Sequence, residues 1–253
     1  MSYQSSPLFK FLLRLADTNL ILAQRLSEWT GHGPFLEEDL ALTNIALDMM
    51  GTSRSLYDYA ARVEGKNRTE DDLAFLRTER EFFNPLICEL PKGDYAFTIT
   101  KLFFINAFQV PYFAELSKSK DDIIAGIAAK AYKESIYHLR HTASWMERFG
   151  LGTMESHNRL QRAVDELWRY TEDIFTFHDD YNQLIDAAIV PDLKSINEAW
   201  KIKVDSVLLI SSQRIPENVF MQHGSINGIH TEHLGYLLTE MQYLQRTHPG
   251  ARW

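Results

Sequence analysis

Apolar residues recur at three- and four-residue spacing along almost the whole chain, and that period belongs to an α-helix with one buried face. Only 12 glycines and 8 prolines interrupt the 253 residues, and they cluster between the periodic segments. No run alternates at period two, so a sheet has no footing. No unit of about 20 to 50 residues repeats, which removes solenoids. The reading is an all-α helical bundle, a single domain over residues 1–253, with 45% hydrophobic residues to fill its core.

Local signals place the helices. Ser6-Pro7 supplies an N-cap and a first-turn proline for a helix that runs to Trp29 and stops at Gly31-His32-Gly33-Pro34. A second opens on Glu37, Glu38 and Asp39, acids suited to the positive end of a helix dipole, and runs to Val63. Thr69-Glu70-Asp71-Asp72 matches a capping pattern for a third that reaches Pro91. The fourth spans Asp94 to Ser117 with Pro111 expected to kink it, and the fifth follows a cap at Ser119-Lys120-Asp121-Asp122 and reaches Phe149. A sixth is expected over Met154 to Phe177 and a seventh from Pro191 to Ile210. Asp179 to Ile189 is ambiguous, Ser211 to Ile229 reads as an ordered surface loop, and a helix over Thr231 to Thr247 ends the pattern.

The charge balance narrows the partners. With 34 acids against 26 bases, interspersed, there is no basic field to condense on nucleic acid or an anionic membrane. The single cysteine, Cys88, excludes an internal disulfide and any site built from several thiolates, and it fits a reducing cytoplasm. Residues 1–10 have no leader-like pattern and no later run approaches 18 apolar residues, so neither export nor a membrane span is expected.

A helical bundle can hold a pair of iron ions when two helices each supply a Glu and two others each supply Glu-x-x-His. No Glu or Asp in this chain has a histidine three residues later. The nearest remnant is Glu134-Ser135-Ile136-Tyr137-His138, where tyrosine takes the position a ligand histidine would need and histidine comes one step later, about 100° further round the helix. On the second helix, Asp48 is followed three residues on by Gly51, which has no ligand atom. On the fourth, Asn106 and Gln109 offer neutral amides, poor iron ligands beside carboxylates. Asp48, Gly51, Glu134, Tyr137 and His138 are therefore read as positions of a vestigial site, with no metal, cofactor or catalytic residue assigned to the chain.

A competing metal site could use Glu134, His138 and His141 at i, i+4 and i+7, although ion pairing with Lys133, Arg140 or a partner subunit accounts for the same residues. His230-Thr231-Glu232-His233 has the wrong spacing for either zinc signature and reads better as a helix start capped by Thr231. Phosphate-cradling glycine loops and the Gly-x-Ser-x-Gly elbow are absent. Cys88 and the stripe Phe103, Phe104, Phe108, Tyr112 and Phe113 read as core or interface.

Several blocks then carry a resemblance. Arg25 to Pro34, Leu36 to Asn44, Glu79 to Asn84, Lys133 to Arg140, Glu166 to Arg169, and the tail His230 to Gly235 with Glu240 to Arg246 and Pro249 to Trp253 resemble the PaaC family, the C subunits of the bacterial ring-1,2-phenylacetyl-CoA epoxidase. Small departures include Ser27 and Gly33, where glycine and alanine are expected. The resemblance implies a ferritin-like bundle with additional C-terminal helices, acting as a structural subunit beside a homologous catalytic A subunit that holds the di-iron centre and binds phenylacetyl-CoA. It also implies a small B subunit and a reductase carrying FAD and an iron–sulfur cluster, with a homodimer possible for the chain alone. Two other readings stay open: an oxygenase binding its own metal, and a homo-oligomeric acyl-CoA-binding protein.

Overall fold

A computed structural model describes residues 6–251 and contains only helices, turns and irregular segments, with no strand among the described residues. The chain is all-α and ferritin-like, with ten α-helices among the described residues and short 3-10 turns between them. It divides into two compact units, one built from residues 1–91, 177–184 and 224–253 and the other from 92–176 and 185–223. No helix among the described residues is long and apolar enough to cross a membrane.

In the first unit α1 (Pro7–Ser27) and α2 (Leu36–Glu64) form a hairpin. The Ser6 hydroxyl accepts from the Phe9 amide at 3.2 Å, satisfying one orphan donor of the first turn. From Phe11 to Ala23 α1 is buried on every side, and its polar residues Arg14, Asp17, Thr18 and Asn19 are buried with it. The Ser53 hydroxyl of α2 donates to the Ala16 carbonyl at 2.9 Å and fixes the pairing. Gly65 ends α2 at φ +68°, a left-handed conformation that a Cβ would strain.

The expected third helix is broken into α3 (Glu70–Phe75), a 3-10 turn at Glu79–Glu81 and α4 (Leu86–Glu89). Its capping box is as read: the Asp72 amide donates to the Thr69 hydroxyl and the Thr69 amide to the Asp72 carboxylate. The break comes from Arg77, whose buried guanidinium donates to the carbonyls of Leu73 and Glu81 and to the Asp17 carboxylate. Carbonyls bound to that side chain are diverted from a continuous helix, and Pro85 has no amide to donate. α8 (Tyr181–Asp186) occupies the ambiguous stretch, and α10 (Glu232–Thr247) packs on α3, the 3-10 turn and α4.

In the second unit α5 (Tyr95–Leu116) and α6 (Asp122–Leu151) form a hairpin against which α7 (Met154–Leu167) and α9 (Leu193–Ile210) pack. Pro111 lies inside α5. The expected sixth helix stops at Leu167 and continues as two 3-10 turns, because the aromatic cluster around Phe104 captures this segment: Trp168 lies edge-on to Phe104, and Phe175 edge-on to Phe108 and Trp200. Trp200 Nε1 donates to the Phe104 carbonyl at 2.9 Å and ties α9 to α5. Phe103, Phe104, Phe108, Tyr112 and Phe113 are all buried core. Gly150 has to be glycine, since a Cβ there would lie 2.0 Å from the Ser211 carbonyl oxygen. The loop after α9 is pinned by Gln161, which exchanges two 2.9 Å hydrogen bonds with the Arg214 backbone.

Candidate functional site

On α6 the buried stripe runs Ile124, Ala128, Ala131, Ser135, His138, Thr142 and Met146. The inward imidazole is therefore His138; Tyr137, expected at the inward ligand position, is 45% exposed. Its ring stacks on His141 at 6.2 Å, and the Arg140 guanidinium lies 5.6 Å from its centroid. The reason is helical phase: the 4,3,4,3 stripe through Ser135 reaches 138, and a residue one earlier is rotated out of it. Glu134 pairs with Lys130 one turn earlier at 3.4 Å.

Glu134, Tyr137, His138 and His141 thus share two turns of α6, in the second unit. Asp48 and Gly51 lie on α2, in the first unit, off that helix's buried stripe. Asn106 on α5 has no solvent exposure, and neither its amide nitrogen nor its oxygen has a hydrogen-bond partner among the described residues; Gln109 is also buried. Among the described residues no group of three or more His, Cys, Asp or Glu side chains could hold a metal ion. The donor set of the described residues does not fit a di-iron centre.

The first unit buries two ionic groups that sequence reading missed. Tyr57 donates to Asp17 at 2.5 Å, Arg77 contacts the same carboxylate through two nitrogens, and the Phe83 amide donates to it at 2.8 Å. Burial and the adjacent Asp17 charge push the Tyr57 hydroxyl well above its usual range, so it stays a donor. In the second group Glu89 of α4 and His230 meet at 2.8 Å with no solvent exposure of either side chain. Thr231 is the N-cap read from sequence, its hydroxyl accepting from the His233 amide, while its own amide donates to Glu89 at 2.6 Å. Buried Cys88 neighbours Glu89 in α4. No local motif announces either group, since the paired residues lie 60 and 141 positions apart.

The surface carries an ordered apolar face. On α2, Leu36, Leu40 and Leu47 are 70%, 54% and 64% exposed and fall at i, i+4 and i+11, a single stripe that Gly51 continues. Large hydrophobic side chains aligned on one face are the usual mark of an interaction surface, whereas scattered ones are ordinary.

Compared with known proteins, residues 2–253 match the family model described as phenylacetic acid catabolic protein. The chain is 44% identical over 243 residues, 96% of its own length and 98% of the relative's, to the C subunit of the 1,2-phenylacetyl-CoA epoxidase of Escherichia coli (strain K12).

Proposed function

Because the chain belongs to the phenylacetic acid catabolic protein family, we propose that it is the structural subunit of a phenylacetyl-CoA 1,2-epoxidase complex, holding a homologous catalytic subunit that carries the di-iron centre. The role in phenylacetate catabolism and the membership of a multisubunit enzyme follow from the family and from the relative's description as a subunit. The scaffolding role is the further step, and the observation that carries it is the exposed leucine stripe of α2. Such an apolar helix face gains by being covered.

In this reading the chain needs no cofactor. Iron resides in the catalytic partner, FAD and an iron–sulfur cluster in a separate reductase, and a third, smaller protein completes a cytoplasmic assembly. Epoxidation inserts one oxygen atom of O₂ into the aromatic ring of phenylacetyl-CoA, and this subunit's contribution is to hold the partner in a competent shape.

The test is reconstitution. Mixed with the catalytic subunit, in the presence of the reductase and the smaller protein, the chain is expected to restore epoxidation that neither subunit shows without the other. Leu36→Ser, Leu40→Ser and Leu47→Ser together are expected to abolish both the complex and the activity while leaving the helical circular dichroism of the isolated chain unchanged. A triple variant that still forms the complex at wild-type affinity refutes the α2 face as the docking surface.

A further inference from the structure

The tail motif around His230 is not used by the proposed scaffold role, and it makes a polar contact closed to solvent in the first unit. His230 Nδ1 lies 2.8 Å from Glu89 Oε2 and Nε2 lies 2.8 Å from the Phe82 carbonyl oxygen. A backbone carbonyl only accepts, so Nε2 must carry a hydrogen. Nδ1 faces a carboxylate, so a second proton must lie on that contact as well. Without it, a ring lone pair and a carboxylate oxygen would confront each other in a site closed to solvent.

We infer that Glu89 and His230 form a proton-dependent clasp, which holds the start of α10 on α4 and releases residues 229–247 when the shared proton is lost. The carboxylate is the hub of the closed state. Besides His230 it accepts from the Thr231 amide at 2.6 Å and from Asn84 Nδ2 at 2.9 Å, so three donors converge on one buried group. Arg25 of α1 braces both sides, donating to the Glu89 carbonyl at 2.9 Å and to the His233 carbonyl at 3.1 Å. Arg80 donates to the Gly228 carbonyl at 3.2 Å just before the clasp.

The elements packed around His230 carry other charged groups, among them Glu79 beside Gly235 of α10. On α1, Asp17 adds a favourable negative charge but is bound to Arg77 and Tyr57, and Arg25 is bound to Glu28. On the segment between α3 and α4, Glu81 is held by Thr78 and Arg80 by the Gly228 carbonyl. On α10, Glu232 and His233 flank the cap, and both are more exposed than the Glu89–His230 pair. Burial alone would push His230 toward its neutral form, but the Glu89 hydrogen bond and charge outweigh it and hold the imidazolium above its usual range. The clasp is therefore closed below the ordinary histidine value of 6.5 and is lost as pH rises through the raised value. What it controls is the seat of α10, which forms one wall of a groove with Thr78 and Glu79 and bears the exposed Tyr236 and Tyr243.

Amide hydrogen exchange on the intact chain from about pH 6 to about pH 9 tests this. After correction for the intrinsic rate, the opening constant of residues 229–247 is expected to rise by up to about tenfold per pH unit above the titration of the clasp. Residues 95–151 should show no such slope. His230→Gln is expected to remove the slope. A flat wild-type profile, or a slope that survives His230→Gln, overturns the inference. Ring ¹⁵N shifts of His230 need no variant: both nitrogens should be protonated at about pH 6, with Nδ1 losing its proton where protection falls. A ring that keeps one state throughout also overturns it.

Discussion

The Asp17 carboxylate and the Arg77 guanidinium meet through two nitrogen–oxygen contacts in the interior of the first unit, both side chains closed to solvent. Removing either partner leaves a buried charge unpaired, at a cost of roughly 3–5 kcal/mol. Arg77→Met and Asp17→Leu should each lower the urea midpoint strongly. The double variant should lose much less than the sum. Additive losses in that cycle would show that the pair does not act as a unit.

Asn106 is the opposite case, a buried amide whose two polar atoms have no partner among the described residues. Asn106→Leu keeps the approximate volume and deletes both, so stability should rise by about 1–2 kcal/mol. Chemical unfolding measures it. A loss of stability would mean that the amide is satisfied by something held in the interior.

Two histidines in the first unit should titrate with midpoints on opposite sides of the ordinary value. Burial and the nearby Lys10 charge hold His178 below its ordinary value of 6.5, so its contribution to stability falls as pH drops below 6.5. His230 contributes most below 6.5 and loses its share as pH rises through its raised value. NMR titration of the two C2 protons reads both, and midpoints on the same side of the ordinary value would contradict the geometry.

Acid weakens a separate pair of contacts. Burial alone would raise Glu64, but hydrogen bonds and charge from Arg68 and Lys66 hold it below its ordinary 4.5; Thr78, with Arg77, does the same for Glu81 against a similar burial effect. Their stabilisation is present above 4.5 and disappears as pH falls through the lowered values. Glu64→Gln with Glu81→Gln should therefore flatten the acid limb of the stability curve. An unchanged limb would remove these residues from the acid transition.

The helix starts were legible because capping is local: Ser6-Pro7, Thr69 with Asp72, and Thr231 all work within a few residues of themselves. The break after Phe75 was not, because Arg77 reads as an ordinary charge until Asp17, sixty residues away, is folded against it. The Glu89–His230 contact was hidden for the same reason, although the tail block that contains His230 stood out. On α6 the difficulty was phase, since one residue separates the exposed Tyr137 from the buried His138 and the motif alone did not say which faced inward.

The claim that this chain scaffolds and does not itself hold the iron is tested most directly in the assembled complex. Glu134→Gln with His141→Gln removes the sequence-nominated ligands on α6 that are not fully buried. Iron content and epoxidation of phenylacetyl-CoA are then measured on complex shown to be intact. The expected result is wild-type iron and wild-type turnover, with the iron recovered in the catalytic partner after the subunits are separated. Loss of iron and epoxidation together from a complex that remains assembled would contradict it.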